Sequence, residues 1–128
     1  MNYLIVGASS GLGRDLAYTL SEDANNLTLI SRDMRDLNVM KSDIESLYQT
    51  KVNTYSVDLA SKNSVATFLN NKEIEFSLLD GVLFPIGMMS DKDFITGLND
   101  SAEQINNANF LSIVKFVEKI TPIFKKKK

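Results

Sequence analysis

A glycine-rich segment near the N-terminus constrains the fold of this chain more than any other feature. The run Gly7-Ala8-Ser9-Ser10-Gly11-Leu12-Gly13 follows a short apolar stretch that ends at Val6. It precedes leucines spaced every fourth position, which is typical of one face of a helix. A glycine pattern alone is a weak signal, but one placed between a strand and a helix near the N-terminus is strong. The segment therefore predicts a strand, a tight turn and the start of a helix that can bind phosphate.

Each small residue of this turn has its own expected role. We expect Gly7 to allow the tight turn after the strand, Gly11 to let the backbone approach a pyrophosphate, and Gly13 to let the helix pack closely against the sheet. Ser9 and Ser10 add hydroxyl groups beside the free N–H groups of the helix N-terminus. The alternative is a plain connecting turn, but three glycines with two serines are more than such a turn needs.

The rest of the chain alternates between strand and helix patterns. Strands are predicted at 3–6, 27–31, 52–57 and 78–84, and helices at 12–20, 36–49, 61–69 and 102–124. Such alternation predicts βαβ units, and we expect a Rossmann-like, doubly wound α/β fold with a parallel sheet ordered 3-2-1-4. Residues 1–124 would form one domain and 125–128 a lysine tail, and 87–100 would be a loop with a helical turn at about 93–98.

Composition excludes several classes of site. The 128 residues include no cysteine and no histidine, so disulfides, thiolate or histidine metal sites and Ser-His or Cys-His nucleophile pairs are excluded. Four of the 14 basic residues form the C-terminal tail, which leaves ten against 16 acidic residues in the body. That balance argues against a nucleic-acid partner. Short apolar runs and the lack of a signal-peptide pattern predict a soluble, cytoplasmic protein without a membrane partner.

The spacing Gly-x-x-x-Gly-x-Gly resembles the motif TGxxxGxG of the short-chain dehydrogenase/reductase family, with Val6 in place of the threonine. The resemblance extends along the whole chain, which corresponds to about the first half of the family's fold. It implies a nicotinamide dinucleotide cofactor at Gly7, Ser9, Ser10, Gly11, Leu12 and Gly13. It also implies hydride transfer between the nicotinamide and a carbonyl or alcohol carbon.

The resemblance points to NADP rather than NAD. Ser31 and Arg32 stand at the end of the second strand, where an acidic residue selects NAD in the family. A guanidinium group can bind the 2′-phosphate of NADP through two hydrogen bonds. Two observations weaken this interpretation: Arg32 could be a solvated surface residue, and Asp33 is near enough in sequence to pair with it.

Three later segments also match family positions. Asp58-Leu59 corresponds to the residues that contact the adenine ring, although Asp58 could instead shape a turn. After the fourth strand the family usually has Asn-Asn-Ala-Gly, whereas this chain has Phe84-Pro85-Ile86-Gly87. Only Gly87 matches, and its backbone would lie along the nicotinamide ribose. Asn109 corresponds to the asparagine of the catalytic proton relay, with an ordinary polar helix residue as the alternative.

The catalytic pair of the family is absent from these residues. Its tyrosine transfers the proton and needs a lysine four positions later to lower its pKa. None of the four tyrosines here has a lysine at that spacing. We therefore expect the cofactor-binding half of an oxidoreductase that is inactive alone. A non-catalytic nucleotide-binding or dimerisation module remains open, as does an inactive truncated product whose lysine run arose on an adenine tract.

The last predicted helix carries apolar residues on more than one side, which predicts burial on more than one side. Two groups can be distinguished: Phe110, Val114 and Val117 share one side, and Phe116, Ile120 and Ile123 share another. We expect a homo-oligomer formed through this helix, as in the family, and we expect a charge at Phe116 to weaken it. A phosphoacceptor receiver domain shares the strand–helix alternation, but the acidic pair after its first strand is missing here.

Overall fold

The computed structural model describes residues 1–9, 11–87 and 99–127. The strands are β1 Asn2–Val6, β2 Asn26–Ser31, β3 Val52–Ser56 and β4 Gly81–Leu83. The helices are α1 Gly11–Glu22, α2 Met34–Leu47, α3 Lys62–Leu69, α4 Asn99–Asn106 and α5 Ser112–Lys125, with a 3-10 turn at Phe76–Leu78 and a π-helical turn at Asn107–Leu111. The helical turn predicted at 93–98 lies outside the described residues.

The four strands form one parallel sheet in the order β3-β2-β1-β4, which confirms the predicted topology. β1 is central and pairs with β2 along its full length, from Asn2 opposite Asn26 to Val6 opposite Ile30. The first compact unit, Met1–Val57 with Glu75–Pro85, contains this sheet together with α1 and α2. Its core consists of apolar side chains that are at most 1% exposed: Ile5, Ala8, Ala17, Leu27, Leu29, Leu37, Met40, Ile44 and Val52.

The fourth strand is shorter than its apolar pattern predicts. We expected a strand over 78–84, but residues 76–78 form the 3-10 turn and the strand begins at Gly81. Just before the strand, Asp80 makes two hydrogen bonds to Asn2, and its side chain takes the Asn2 N–H in place of a backbone carbonyl of β4. Its N–H donates to the Asn2 carbonyl at 2.8 Å, and its Oδ2 accepts the Asn2 N–H at 2.8 Å.

The buried face of α1 differs from the predicted leucine stripe. Its buried residues are the small ones, Gly13, Ala17 and Ser21, whereas Leu12 is 64% exposed. Small side chains allow a helix to approach its neighbours closely, and the leucines flank this contact instead of forming its centre.

The approach is closest at Gly13. A Cβ atom built there would overlap the Gly7 carbonyl oxygen and lie 3.1 Å from the Ala8 Cα. These are backbone atoms, which cannot rotate away as a side chain can. Gly7 itself has φ of 91°, a left-handed conformation that favours glycine. The first turn of α1 is therefore packed directly on the backbone turn that follows β1.

The second compact unit consists of Asp58–Ile74 and Ile86–Lys128. The predicted N-cap of α3 is confirmed, because the Ser61 side chain accepts the Ser64 N–H at 3.2 Å. α3 packs against α5, and the rings of Phe68 and Phe116 lie 5.8 Å apart between their centroids. The last predicted helix contains a π-helical turn, and α5 continues through Pro122.

Phe116 is fully buried, so the expectation that it lies at an intermolecular surface is wrong. Ile120 is also buried, at 7% exposure. The large apolar residues of α5 and its preceding turn that remain exposed belong to the other predicted group. Phe110 is 60% exposed and Val117 is 44% exposed. A charge at Phe116 would disrupt packing inside this unit and would not test assembly. Within the described part of the chain, no helix has the length and hydropathy needed to cross a membrane.

The close approach at Gly13 makes a specific demand on that position. Gly13→Ala should lower the free energy of unfolding by about 1–3 kcal/mol, because the new methyl group must displace backbone. Gly87→Ala is the matched control, since a Cβ there meets nothing within 4 Å. Its cost should stay within about 0.5 kcal/mol. Urea denaturation of the three proteins measures both values, and equal midpoints for Gly13→Ala and the wild type would contradict this packing.

Candidate functional site

The turn after β1 is held against the end of β2 by two backbone hydrogen bonds. The N–H groups of Gly7 and Ala8 both donate to the Ile30 carbonyl, at 2.9 and 3.0 Å. Ser31 and Arg32 follow Ile30 directly. The structure therefore brings together the glycine-rich turn and the two residues that the sequence assigns to the cofactor's ribose.

The first residues of α1, which follow the glycine-rich turn, are exposed. Gly11 begins α1 with φ of 49°, is exposed, and has no atom within 4 Å of the place where a Cβ would lie. Leu12 is exposed and Ser9 is half-buried, while Ser10 lies outside the described residues. An exposed helix N-terminus with free N–H groups can bind an anion, because these groups and the helix dipole both favour negative charge.

Asp33 does not pair with Arg32. Its Oδ1 accepts the N–H groups of Arg35 and Asp36 at 2.9 and 3.4 Å, which makes it the N-cap of α2. Its other oxygen lies 3.6 Å from the Arg35 guanidinium. Arg32 is exposed and forms no ion pair with any residue that the structure describes. The concern that Asp33 occupies the Arg32 guanidinium is thus removed by the geometry.

Ser31 is buried, at 6% exposure, which its sequence position did not suggest. Its Oγ accepts the N–H of Asp33 at 3.2 Å, and its carbonyl accepts the N–H of Val57 at 2.8 Å. The hydroxyl thus shapes the turn between β2 and α2. Ser31 orients the start of that turn, and Arg32 is the exposed residue at this position.

One carboxylate oxygen of Asp58 shapes a turn, which is the role that the sequence analysis gave as the alternative to an adenine contact. Its Oδ1 accepts the Ala60 N–H at 3.0 Å, and its carbonyl accepts the Ser61 N–H at 3.0 Å. The Asp58 N–H donates to the Ser64 hydroxyl at 2.9 Å. Asp58 and Leu59 are half-buried. The turn thus holds the Asp58 carboxylate in one orientation through its first oxygen.

Asn109 lies in the middle of the π-helical turn and is half-buried. The same turn begins at Asn107, whose side-chain amide donates from Nδ2 to the Ala60 carbonyl at 3.2 Å. Asn107 therefore joins the turn that holds Asp58 to the turn that holds Asn109. No sequence motif assigned a role to Asn107. Its only signal is its place beside the buried series Ala108, Ser112, Phe116 and Ile120, spaced every four residues. Gly87 is exposed and makes no such link.

The Tyr18 hydroxyl is not activated for proton transfer. The Tyr18 hydroxyl donates to Asp43 Oδ2 at 2.6 Å, and this hydrogen bond raises the pKa of Tyr18 above its ordinary value. Arg14 acts in the opposite direction but does not outweigh Asp43. A tyrosine that transfers a proton near neutral pH needs the reverse shift. Among the described side chains, no group of three or more acidic residues could hold a metal ion.

Comparison with known proteins gives a family match over nearly the whole chain. The model of the short chain dehydrogenase family matches residues 2–128. An NADP-dependent 3-hydroxy acid dehydrogenase from Schizosaccharomyces pombe is 27% identical over 123 residues, which is 94% of this chain and 48% of that protein. A very-long-chain 3-oxoacyl-CoA reductase from Homo sapiens is 25% identical over 127 residues, 93% of this chain and 39% of that protein.

Solved structures share the fold at lower identity. A bulky-bulky ketone specific alcohol dehydrogenase from Comamonas testosteroni superposes with a TM-score of 0.89 at 20% identity, over 98% of this chain and 50% of that chain. A short-chain dehydrogenase from Sphingobium yanoikuyae in complex with NADPH superposes with a TM-score of 0.83 at 20% identity, over 98% of this chain and 49% of that chain. The chain thus spans about half the length of the first relatives it matches. By the family match along its length, this chain belongs to the short-chain dehydrogenase family.

Proposed function

We propose that this chain is the cofactor-binding part of an NADP-dependent oxidoreductase. The reaction would transfer hydride between the nicotinamide and a carbonyl or alcohol carbon. The observation that carries the proposal is the exposed N-terminus of α1 at Gly11, directly after a turn packed as closely as a dinucleotide-binding turn requires. When bound, the nicotinamide supplies the hydride chemistry. The protein's residues bind the pyrophosphate at Gly11 and Leu12, with Ser9 and Ser10 beside it.

The charge at the end of β2 supports NADP over NAD. Arg32 is exposed, and the neighbouring carboxylate of Asp33 is engaged by the N-terminus of α2 and by Arg35. No acidic residue stands at Ser31 or Arg32, where a carboxylate would bind the ribose hydroxyls of NAD. Of the similar proteins, the Schizosaccharomyces pombe dehydrogenase is named as NADP-dependent, and the Sphingobium yanoikuyae dehydrogenase was solved in complex with NADPH.

The remaining positions complete the proposed binding surface. We assign the adenine contact to Asp58 and Leu59, the backbone along the nicotinamide ribose to Gly87, and the proton-relay position to Asn109. The alternative is a non-catalytic nucleotide-binding or dimerisation module, or an inactive product. It is favoured by the lack of a tyrosine–lysine pair in these 128 residues. A cytoplasmic location and the absence of a nucleic-acid partner remain predictions.

Self-association through the last helix is a further part of the proposal. A mostly apolar surface there is lined by Phe110, Ile113, Val114, Val117, Glu118, Thr121 and Pro122. Phe110 and Val117 are substantially exposed, and soluble monomers seldom expose large contiguous apolar patches. A second copy of the chain would cover this surface.

Cofactor selectivity can be tested at Arg32. Arg32→Ala should weaken NADP binding about ten- to hundredfold and leave NAD nearly unchanged, because hydrogen bonds to a charged phosphate contribute about 1.5–3 kcal/mol. Arg35→Ala is the matched control, since Arg35 is an exposed arginine engaged with Asp33. Titration calorimetry with both nucleotides measures the difference. Equal affinity of the wild-type chain for NADP and NAD would contradict the assignment.

The missing catalytic pair predicts the outcome of an activity assay. The 128-residue chain should bind NADPH without oxidising it in the presence of ketones or aldehydes, because no tyrosine has a lysine neighbour at the required spacing. Absorbance of the reduced nicotinamide follows the reaction. Turnover that co-purifies with the chain through successive columns would refute this expectation and show that other residues transfer the proton.

Assembly can be tested with two valines. Val117→Glu should lower the average mass in a concentration series measured by light scattering, because it places a charge in the exposed apolar surface of α5. Val39→Glu is the control, since Val39 is 58% exposed on α2 and does not line that surface. NADP affinity, measured in parallel, checks that both variants fold. If wild type and Val117→Glu have the same mass at every concentration, the last helix does not drive assembly.

A further inference from the structure

Asn107 is a buried amide that is only half satisfied. The residue is 6% exposed, and its Nδ2 donates to the Ala60 carbonyl at 3.2 Å. Its Oδ1 is inaccessible to solvent and has no hydrogen-bond partner among the residues the structure describes. An unsatisfied buried acceptor costs folding free energy, and an apolar side chain of similar size would avoid this cost. The amide is therefore a poor choice for packing alone.

The backbone of Asn107 has a second role. Its carbonyl accepts the N–H of Ser112, five residues later, and this bond closes the π-helical turn that contains Asn109. The Ser112 hydroxyl donates to the Ala108 carbonyl at 2.7 Å, which ties the end of the turn back to its start. π-Helical turns within helices occur frequently at functional sites. The position of Asn109 thus depends on a turn that begins at Asn107.

The side chain of Asn107 binds the same residue, Ala60, that holds the Asp58 carboxylate. Ala60 donates its N–H to Asp58 Oδ1, and its carbonyl accepts from Asn107. Residue 60 is therefore held at both of its polar groups, one by the aspartate and one by the amide. Displacement of Ala60 as a whole would therefore disturb both hydrogen bonds, including the one that holds the Asp58 carboxylate.

We propose that Asn107 is a positioning residue that sets the Asp58 turn and the Asn109 turn relative to each other. Its side-chain amide links the turn of Asp58, proposed to contact the adenine end of the cofactor, to the helical turn of Asn109, the proposed proton-relay residue. This inference rests on the proposed function for its ligand. The physical link between the two turns can be measured without any ligand.

The test uses the full chain with Asn107→Leu and Asn107→Asp. Leucine has the same branching at Cγ and removes both the donor and the unsatisfied acceptor, whereas aspartate keeps the shape and cannot donate when ionised. Asn106→Leu is the control, because Asn106 is the exposed neighbour at the end of α4. Hydrogen exchange without ligand reports on residues 58–64, thermal unfolding reports on stability, and calorimetry measures affinity for NADP and for ADP-ribose.

A positioning role predicts that nucleotide affinity falls without a loss of folding stability. In Asn107→Leu, exchange in residues 58–64 should accelerate while the melting temperature stays equal or rises. Affinity for NADP and ADP-ribose should fall by the same factor, about three- to tenfold, as expected for one hydrogen bond. Asn107→Asp should show the same faster exchange and weaker binding, and Asn106→Leu should match the wild type.

Several results would overturn the inference. Unchanged exchange and affinity in both Asn107 variants would do so. So would faster exchange spread over β1 to β3, or failure of both variants to fold, since either would mark Asn107 as purely structural. If the wild type binds no NADP but exchange in residues 58–64 still responds to Asn107, the link between the turns stands and the proposed function is wrong.

Discussion

The contact between Gly13 and the carbonyl of Gly7 is the constraint on which the turn after β1, the proposed nucleotide-binding turn, depends. Because no Cβ intervenes, the first turn of α1 rests on the backbone that leaves β1. The same backbone donates two hydrogen bonds to the end of β2. These contacts leave Gly11 as the exposed residue where the helix begins. The N-terminus of a helix favours an anion there through its N–H groups and its dipole.

The end of β2 shows how neighbouring polar residues divide their roles. Ser31 is buried and accepts the Asp33 N–H, while Asp33 caps α2 and contacts Arg35. The Ser31 and Asp33 side chains accept backbone N–H groups of the turn, and Asp33 also pairs with the Arg35 guanidinium. Arg32 remains exposed and without an ion pair among the described residues. The selectivity of the proposed site for a phosphate thus follows from local capping, since the cap occupies the carboxylate that would otherwise neutralise the arginine.

The second unit places its two functional candidates on turns that share a hydrogen-bonded link. Asp58 belongs to a turn closed by its own carboxylate, and Asn109 belongs to a π-helical turn. Asn107 contacts the first turn and begins the second. Phe68 and Phe116 pack α3 against α5 beside this link, so the hydrogen bond lies in a unit with its own buried contacts. The separation of Phe116 inside from Val117 outside also decides which side of α5 is available to a partner.

The sequence by itself determined the topology, because alternating strand and helix patterns with short connections leave few parallel arrangements. It also determined the turn at Gly7 to Gly13 and the cap at Ser61, since both depend on residues close together in the chain. Tertiary structure decided which face of α1 is buried, because close packing against backbone selects Gly13, Ala17 and Ser21 over the larger leucines. It also decided the burial of Phe116 and the bond from Asn107 to Ala60, which joins residues 47 positions apart. No local pattern encodes such contacts, because they exist only once the chain has folded.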